Sequence, residues 1–171
     1  MTDLINLLHG GDLRSIGQSN EVVRMITNQE EFDELFKLLF HNDRKIVMRS
    51  ADAIEKITLN NKEYLKKHKK EILELCLKAT DKGLKWHLAL LVTRLALTDI
   101  EVAEVWQLLS GWAKNKNESK IVRVNSLQGL FCLRNYNDDY KHEFDLTLVE
   151  IEREDIPSLN ARIRKLKKVS I

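Results

Sequence analysis

Half of the chain's six glycines, Gly10, Gly11 and Gly17, fall within eight residues. A glycine-rich loop ahead of a helix can cradle phosphate on its backbone amides. The spacing here does not suit that chemistry. Five residues separate Gly11 from Gly17, one more than a phosphate-binding loop has, Gln18 stands where its lysine belongs, and no strand-like run comes before it. A tight turn between two short helices, closed by Ser19 or Asn20 as an N-cap, fits better, with Arg14 placed to bridge to Asp12 or to a neighbouring helix end. The five histidines, His9, His41, His68, His87 and His142, share no metal-ligand spacing with one another or with the cysteines. His142-Glu143 is a single dyad, and Asp138-Asp139 lacks the glycine and ligand spacing of a calcium loop. No Ser/His/Asp or Cys/His set has a supporting context. These residues call for no catalytic set, no metal and no cofactor.

The two cysteines, Cys76 and Cys132, lie far apart within apolar helical stretches. They read as two small buried hydrophobes rather than a disulfide, which points to a reducing compartment. No apolar run reaches the length of a membrane span, so the expectation is a soluble, cytoplasmic protein. Two basic runs, Lys66-Lys67-His68-Lys69-Lys70 and Arg162-Ile163-Arg164-Lys165-Leu166-Lys167-Lys168, read as solvated faces, the second set favourably at a helix C-terminus. Phosphate contact is the lesser reading of both runs. Twenty-eight basic against twenty-six acidic residues leave only +2, too little to name nucleic acid or an anionic membrane as partner.

The elements that must position these side chains are helices. One proline and six glycines in 171 residues make about 4 % of the chain, where average usage gives about 12 %. A repeat organises them. The stretch that begins at Asp43 realigns without gaps on the one from Asp81, and again on the one from Ser119, a step of 38. Asp43, Asp81 and Ser119 are N-cap residues. Behind them Ile46/Leu84/Val122, Ser50/Leu88/Ser126, Ala53/Leu91/Gly129, Ile54/Val92/Leu130 and Ile57/Leu95/Leu133 form one helical stripe. An apolar helix precedes each, at residues 32–40, 72–79 and 102–113. A further pair fits 140–151 and 156–169, and a short, irregular pair fits 4–8 and 21–27. Trp106 and Trp112 lie on a first helix and are expected in the core.

Two-helix units of this length, with the Asp or Ser cap, an aliphatic residue, a basic residue at Lys85 or Arg123 and a small-x-x-small-aliphatic pattern, resemble HEAT repeats of the armadillo-like class. Residues 11–22 and Trp86-His87-Leu88-Ala89 are similar to segments of small bacterial HEAT-like proteins of unsettled function. The resemblance implies an all-α, right-handed α-α superhelix, a HEAT/ARM-like solenoid of about five antiparallel helix pairs. It would be a single domain over 1–171, with an irregular N-terminal pair in 1–28, three regular repeats in 29–135 and a C-terminal repeat in 136–171. Val47 and Ser119 depart from the pattern, so an Asp–Arg ladder through all repeats is not expected. HEAT-type diiron hydroxylases carry several His-Glu dyads, and the lone His142-Glu143 argues against that chemistry.

Second helices line a solenoid's concave side, so the register names the face that could bind. The positions turned from the buried stripe are Met48, Asp52 and Glu55, then Trp86, Leu90 and Thr93, then Val124, Gln128 and Phe131, with Arg49, His87 and Asn125 on the neighbouring rung. An apolar floor with a few polar groups suits a peptide groove. Trp86 and Phe131 packing into the core is the equal alternative. Asn125 resembles the asparagines with which armadillo proteins hold a peptide backbone, though no Asn stands at 49 or 87. The expectation is a monomeric, non-enzymatic interaction or regulatory module that binds an unidentified protein or peptide through Arg49, Asp52, Trp86, His87, Leu90, Asn125, Gln128 and Phe131. The alternative is a nucleic-acid-binding HEAT protein similar to the alkylpurine DNA glycosylases, with Trp86, Arg49, Arg94 and Asp52 as its candidates.

Overall fold

The structure is a computed structural model that describes residues 2–10 and 17–169, the first two of them by backbone alone. The expectations placed on Gly11, Asp12 and Arg14 lie outside the described residues. Among the described residues every regular element is helical. The chain forms two compact units, residues 1–71 and 72–171.

The first unit holds α1 (Thr2–Leu8), α2 (Ser19–Met25), α3 (Gln29–Lys37) and α4 (Arg44–Ile57). Asn28 caps α3 by accepting from the amide of Glu31, and Asp43 caps α4 by accepting from that of Lys45. Each cap satisfies an amide that has no partner inside its own helix. α4 packs on α1, α2 and α3, and Ile46, Ala53, Ile54 and Ile57 of α4 are buried, as are Leu8, Val22 and Phe32 of the other three helices. The expected cap of α2 is corrected. Gln18 holds the N-cap position without a side-chain bond, and Ser19 is the buried first residue of the helix. Its hydroxyl donates instead to Asp52 of α4, because a long-range carboxylate partner outcompetes the local amides.

The second unit holds most of α5 (Lys69–Lys78), then α6 (Lys82–Leu91), α7 (Asp99–Lys114), α8 (Lys120–Leu133), α9 (Asp138–Glu152) and α10 (Pro157–Val169). Asp81 caps α6, Ser119 caps α8, Asn137 caps α9, and Thr98 forms a capping box with Glu101 at α7. α8 is the hub, packed on α6, α7 and α10. Gly129 lets it approach α6, since a Cβ there would stand 2.7 Å from the Ala89 carbonyl oxygen. Trp106 and Trp112 are core residues, as the register implies. The Trp106 ring stacks on Tyr140 with centroids 4.4 Å apart, and its indole N–H donates to Glu143 at 2.8 Å, so one half of the His142-Glu143 dyad serves packing.

The basic column of the repeat is used twice in this unit. Lys85 pairs with Glu118, just ahead of α8, and its ammonium lies 5.3 Å from the centre of a Trp112 ring. Arg123 grips Glu154, ahead of α10, through two bonds of 2.9 and 2.8 Å, while its Nε donates to the Ala113 carbonyl. Val47 occupies the matching place in α4, where no cation is available to pair.

The cysteines divide. Cys76 is buried as expected, whereas Cys132 is exposed, because it stands one turn beyond Gln128 on the open side of α8. Burial pushes the Cys76 thiol up to about 12, and the thiolate is the reacting species. With iodoacetamide at neutral pH, Cys132 alone is expected to be alkylated in the folded protein, and both residues in denaturant. Intact-mass measurement checks this, and equal labelling of both in the native state would contradict it.

Candidate functional site

The two expected site residues of the first unit are engaged within it. Arg49 is 3 % exposed, and its guanidinium donates to the carbonyl oxygens of Leu8 and Gly10, both at 2.6 Å. The end of α1 has unpaired carbonyls, and Arg49 satisfies one of them. A Cβ on Gly17 would lie 3.1 Å from this guanidinium, and with a φ of +57° the position suits glycine on both counts. Asp52 accepts from Ser19 and, at 2.6 Å, from Lys56, which also reaches Asn20 at 2.8 Å. These contacts fasten α2 to α4.

Six expected residues lie in the second unit, on α6 and α8. The structure brings Trp86 and Asn125 together: the Asn125 amide donates to the Trp86 carbonyl at 3.1 Å. His87 is buried with its ring edge-on to Trp86. Trp86 itself is half-buried, and its indole N–H is enclosed without a partner. Phe131 is half-buried and occupied on two sides. The Arg134 guanidinium covers one face at 3.5 Å from the ring centre, and Phe144 meets it edge-on at 6.0 Å. Phe131 is therefore a packing residue more than an open floor. Leu90 and Gln128 remain partly open, and Gln128 accepts from Arg162 of α10 at 2.6 Å.

Three residues of this face were missed by the sequence reading. Ile121, 39 % exposed, and Cys132 share the Gln128 side of α8 by their spacing of seven and four residues from it. That spacing was legible, but the wheel was centred one position away. Arg162 was read as part of a solvated run. The step from Lys120 to Pro157, the first residues of α8 and α10, is 37 rather than 38. It carries Val122, Ser126 and Gly129 onto the buried Leu159, Ile163 and Leu166, and Asn125 onto Arg162.

Tandem helix pairs with capped second helices, one apolar stripe and a recurring basic column define an all-α repeat protein. Such repeats generally serve as protein-interaction scaffolds. The chain belongs to the HEAT repeat domain family, whose model matches residues 6–169. No curated protein and no solved structure matches it. Among the described residues no helix is long and apolar enough to cross a membrane.

Proposed function

We propose that the protein is a non-enzymatic interaction module that docks a peptide or protein segment on the α6–α8 face, through Leu90, Ile121 and Gln128 beside Trp86. The observation that carries this reading is that Leu90 of α6 and Ile121 of α8, both apolar, are left partly open on the two second helices that also carry the partly open Gln128. His87 and Asn125 act from behind, holding Trp86 in place. Arg49 and Asp52 belong to the fastening of the N-terminal pair and are left out of the site. Those same engagements occupy two of the four residues, Arg49 and Asp52, on which a DNA-glycosylase-like reading would draw, and no observation favours that reading. We take residues 1–171 as one functional domain, a monomer, and place it in the cytoplasm, where unpaired Cys76 and Cys132 stay reduced.

The test is capture from a lysate of the native host, with wild type and a Leu90→Asn/Ile121→Asn variant as baits. Both side chains are partly exposed, so the fold should lose little stability, and a melting curve checks this. The wild type is expected to enrich a partner that the variant recovers about tenfold less well, roughly the loss of one well-placed apolar contact. Equal recovery by two folded baits would sink the site assignment.

A further inference from the structure

We infer that the α8–α10 end of this face receives an acidic peptide segment with interspersed apolar residues, one of whose carboxylates takes the guanidinium of Arg162. The inference rests on the docking reading above and gives it a partner chemistry.

Arg162 is half-buried, and its one bond goes to a neutral acceptor, the side-chain oxygen of Gln128. Among the described residues no carboxylate reaches it. Burial holds its pKa below the usual arginine value, the sign of a charge whose desolvation is not offset. The contrast lies in the same unit, where Arg123, which is fully buried, has a bidentate carboxylate. A guanidinium is a planar fork that matches a carboxylate, and at Arg162 that fork is filled on one side only.

The surroundings agree in charge. α10 contains no acidic residue from Pro157 to Val169, and among the described residues Lys167 is the one cation of this helix with a carboxylate partner, Glu152 at 2.8 Å. Lys165, one helix turn from Arg162, is exposed. On the α8 side, Arg134 donates to the Phe131 carbonyl and lies over its ring, with no carboxylate partner among the described residues. Ile121, two helix turns ahead of Gln128 on the same side of α8, is an exposed apolar residue for the peptide's own apolar side chains.

A peptide fits better than a nucleic acid. The second unit carries sixteen Lys and Arg against fourteen Asp and Glu, a weak field for a polyphosphate. The Phe131 ring is already covered by Arg134 and Phe144, so it offers no platform on which a base could stack.

The test uses the full chain and fluorescence anisotropy with a short fluorescein-labelled peptide of alternating Glu and Leu. Its Gln/Leu counterpart and a labelled oligothymidylate serve as comparison probes. Wild type is expected to bind the Glu peptide about tenfold more tightly than the Gln peptide, the range of one charge-assisted hydrogen bond. Gln128→Glu is the decisive variant, because it hands Arg162 an internal carboxylate. It should raise the melting midpoint and abolish the preference for the Glu peptide, weakening that peptide about tenfold relative to the Gln peptide. Arg162→Gln should weaken the Glu peptide to the same extent. Undiminished affinity in Gln128→Glu, no binding of the Glu peptide, or tighter binding of oligothymidylate would each overturn the inference. Leu90→Asn/Ile121→Asn separates the two levels. If it weakens both peptides while Gln128→Glu weakens neither, the docking face stands and the acidic chemistry fails. If it leaves both unchanged, the face itself is refuted.

Discussion

Arg123→Met is expected to destabilise the protein by about 3–5 kcal/mol, the range for removing one partner of a buried ion pair. Arg123 is 1 % exposed and is the largest fully buried side chain of the described residues. Its loss leaves the Glu154 carboxylate in a site with 12 % side-chain exposure and the Ala113 carbonyl without its side-chain donor. Adding Glu154→Leu to Arg123→Met should return part of the loss, because the stranded charge is then gone as well. Urea titrations of both single variants and the double variant give the coupling. An additive double variant would mean that the pair contributes nothing as a pair.

The same pair sets a pH dependence. The bonds from Arg123, with its charge, hold Glu154 below its usual 4.5, against the opposing effect of burial. A carboxyl whose pKa is lower in the fold than in the unfolded chain contributes stability that is fully present above the unfolded value. That stability is lost as pH falls through the folded one. Wild type should therefore lose stability below pH 4.5 through this group. Glu154→Gln should be less stable at neutral pH and show a shallower acid decline. Parallel declines in the two proteins would refute this assignment.

Gly129→Ala is expected to destabilise by about 1–3 kcal/mol, the usual cost of overpacking. An interior helical glycine replaced by alanine would ordinarily gain about 0.5–1 kcal/mol. Here the new Cβ would meet the Ala89 carbonyl oxygen at 2.7 Å and Leu109 Cδ1 at 2.8 Å. The leucine can rotate, but the carbonyl belongs to the α6 backbone, so the two helices must part. Gly111→Ala, on the exposed side of α7 with no atom within 4 Å of the added carbon, is the matched control and should stabilise. Denaturant midpoints of opposite sign for the two variants are the expected result. A gain at Gly129 would show that α6 and α8 have room to spare.

The part of the fold set by local chemistry was legible in the sequence. The caps at Asp43, Asp81 and Ser119 and the stripe behind them are read directly from residue type and spacing, and they stand where the register puts them, except that α6 stops at Leu91 and leaves Leu95 extended and only half-buried. Pro157 opens α10 for the same reason, since its missing N–H would have had no helical partner. What spacing could not show was competition from distant groups. Ser19 has the chemistry of a cap, yet Asp52, thirty-three residues away, takes its hydroxyl. Arg49 occupies the right rung for a binding residue, but nothing in its neighbours tells that the carbonyls of Leu8 and Gly10 will be brought to it. Cys132 was misplaced for a simpler reason, because an apolar neighbourhood in sequence mixes both sides of a helix. The candidate face was half legible: Leu90 and Gln128 follow from the wheel, while Arg162 needed the one-residue shortening before α10.

The forward reach of the basic column gives assembly of the second unit a direction in time. Lys85 is neutralised by residue 118 and Arg123 by residue 154, each supplied by chain that follows. As the protein is synthesised, α7 and α8 can pair their apolar stripes before Glu154 exists, but Arg123 then lacks the carboxylate that pairs with it in the finished fold. α6 and α8 therefore each gain this ion pair only once residues 118 and 154, respectively, have been added to the chain.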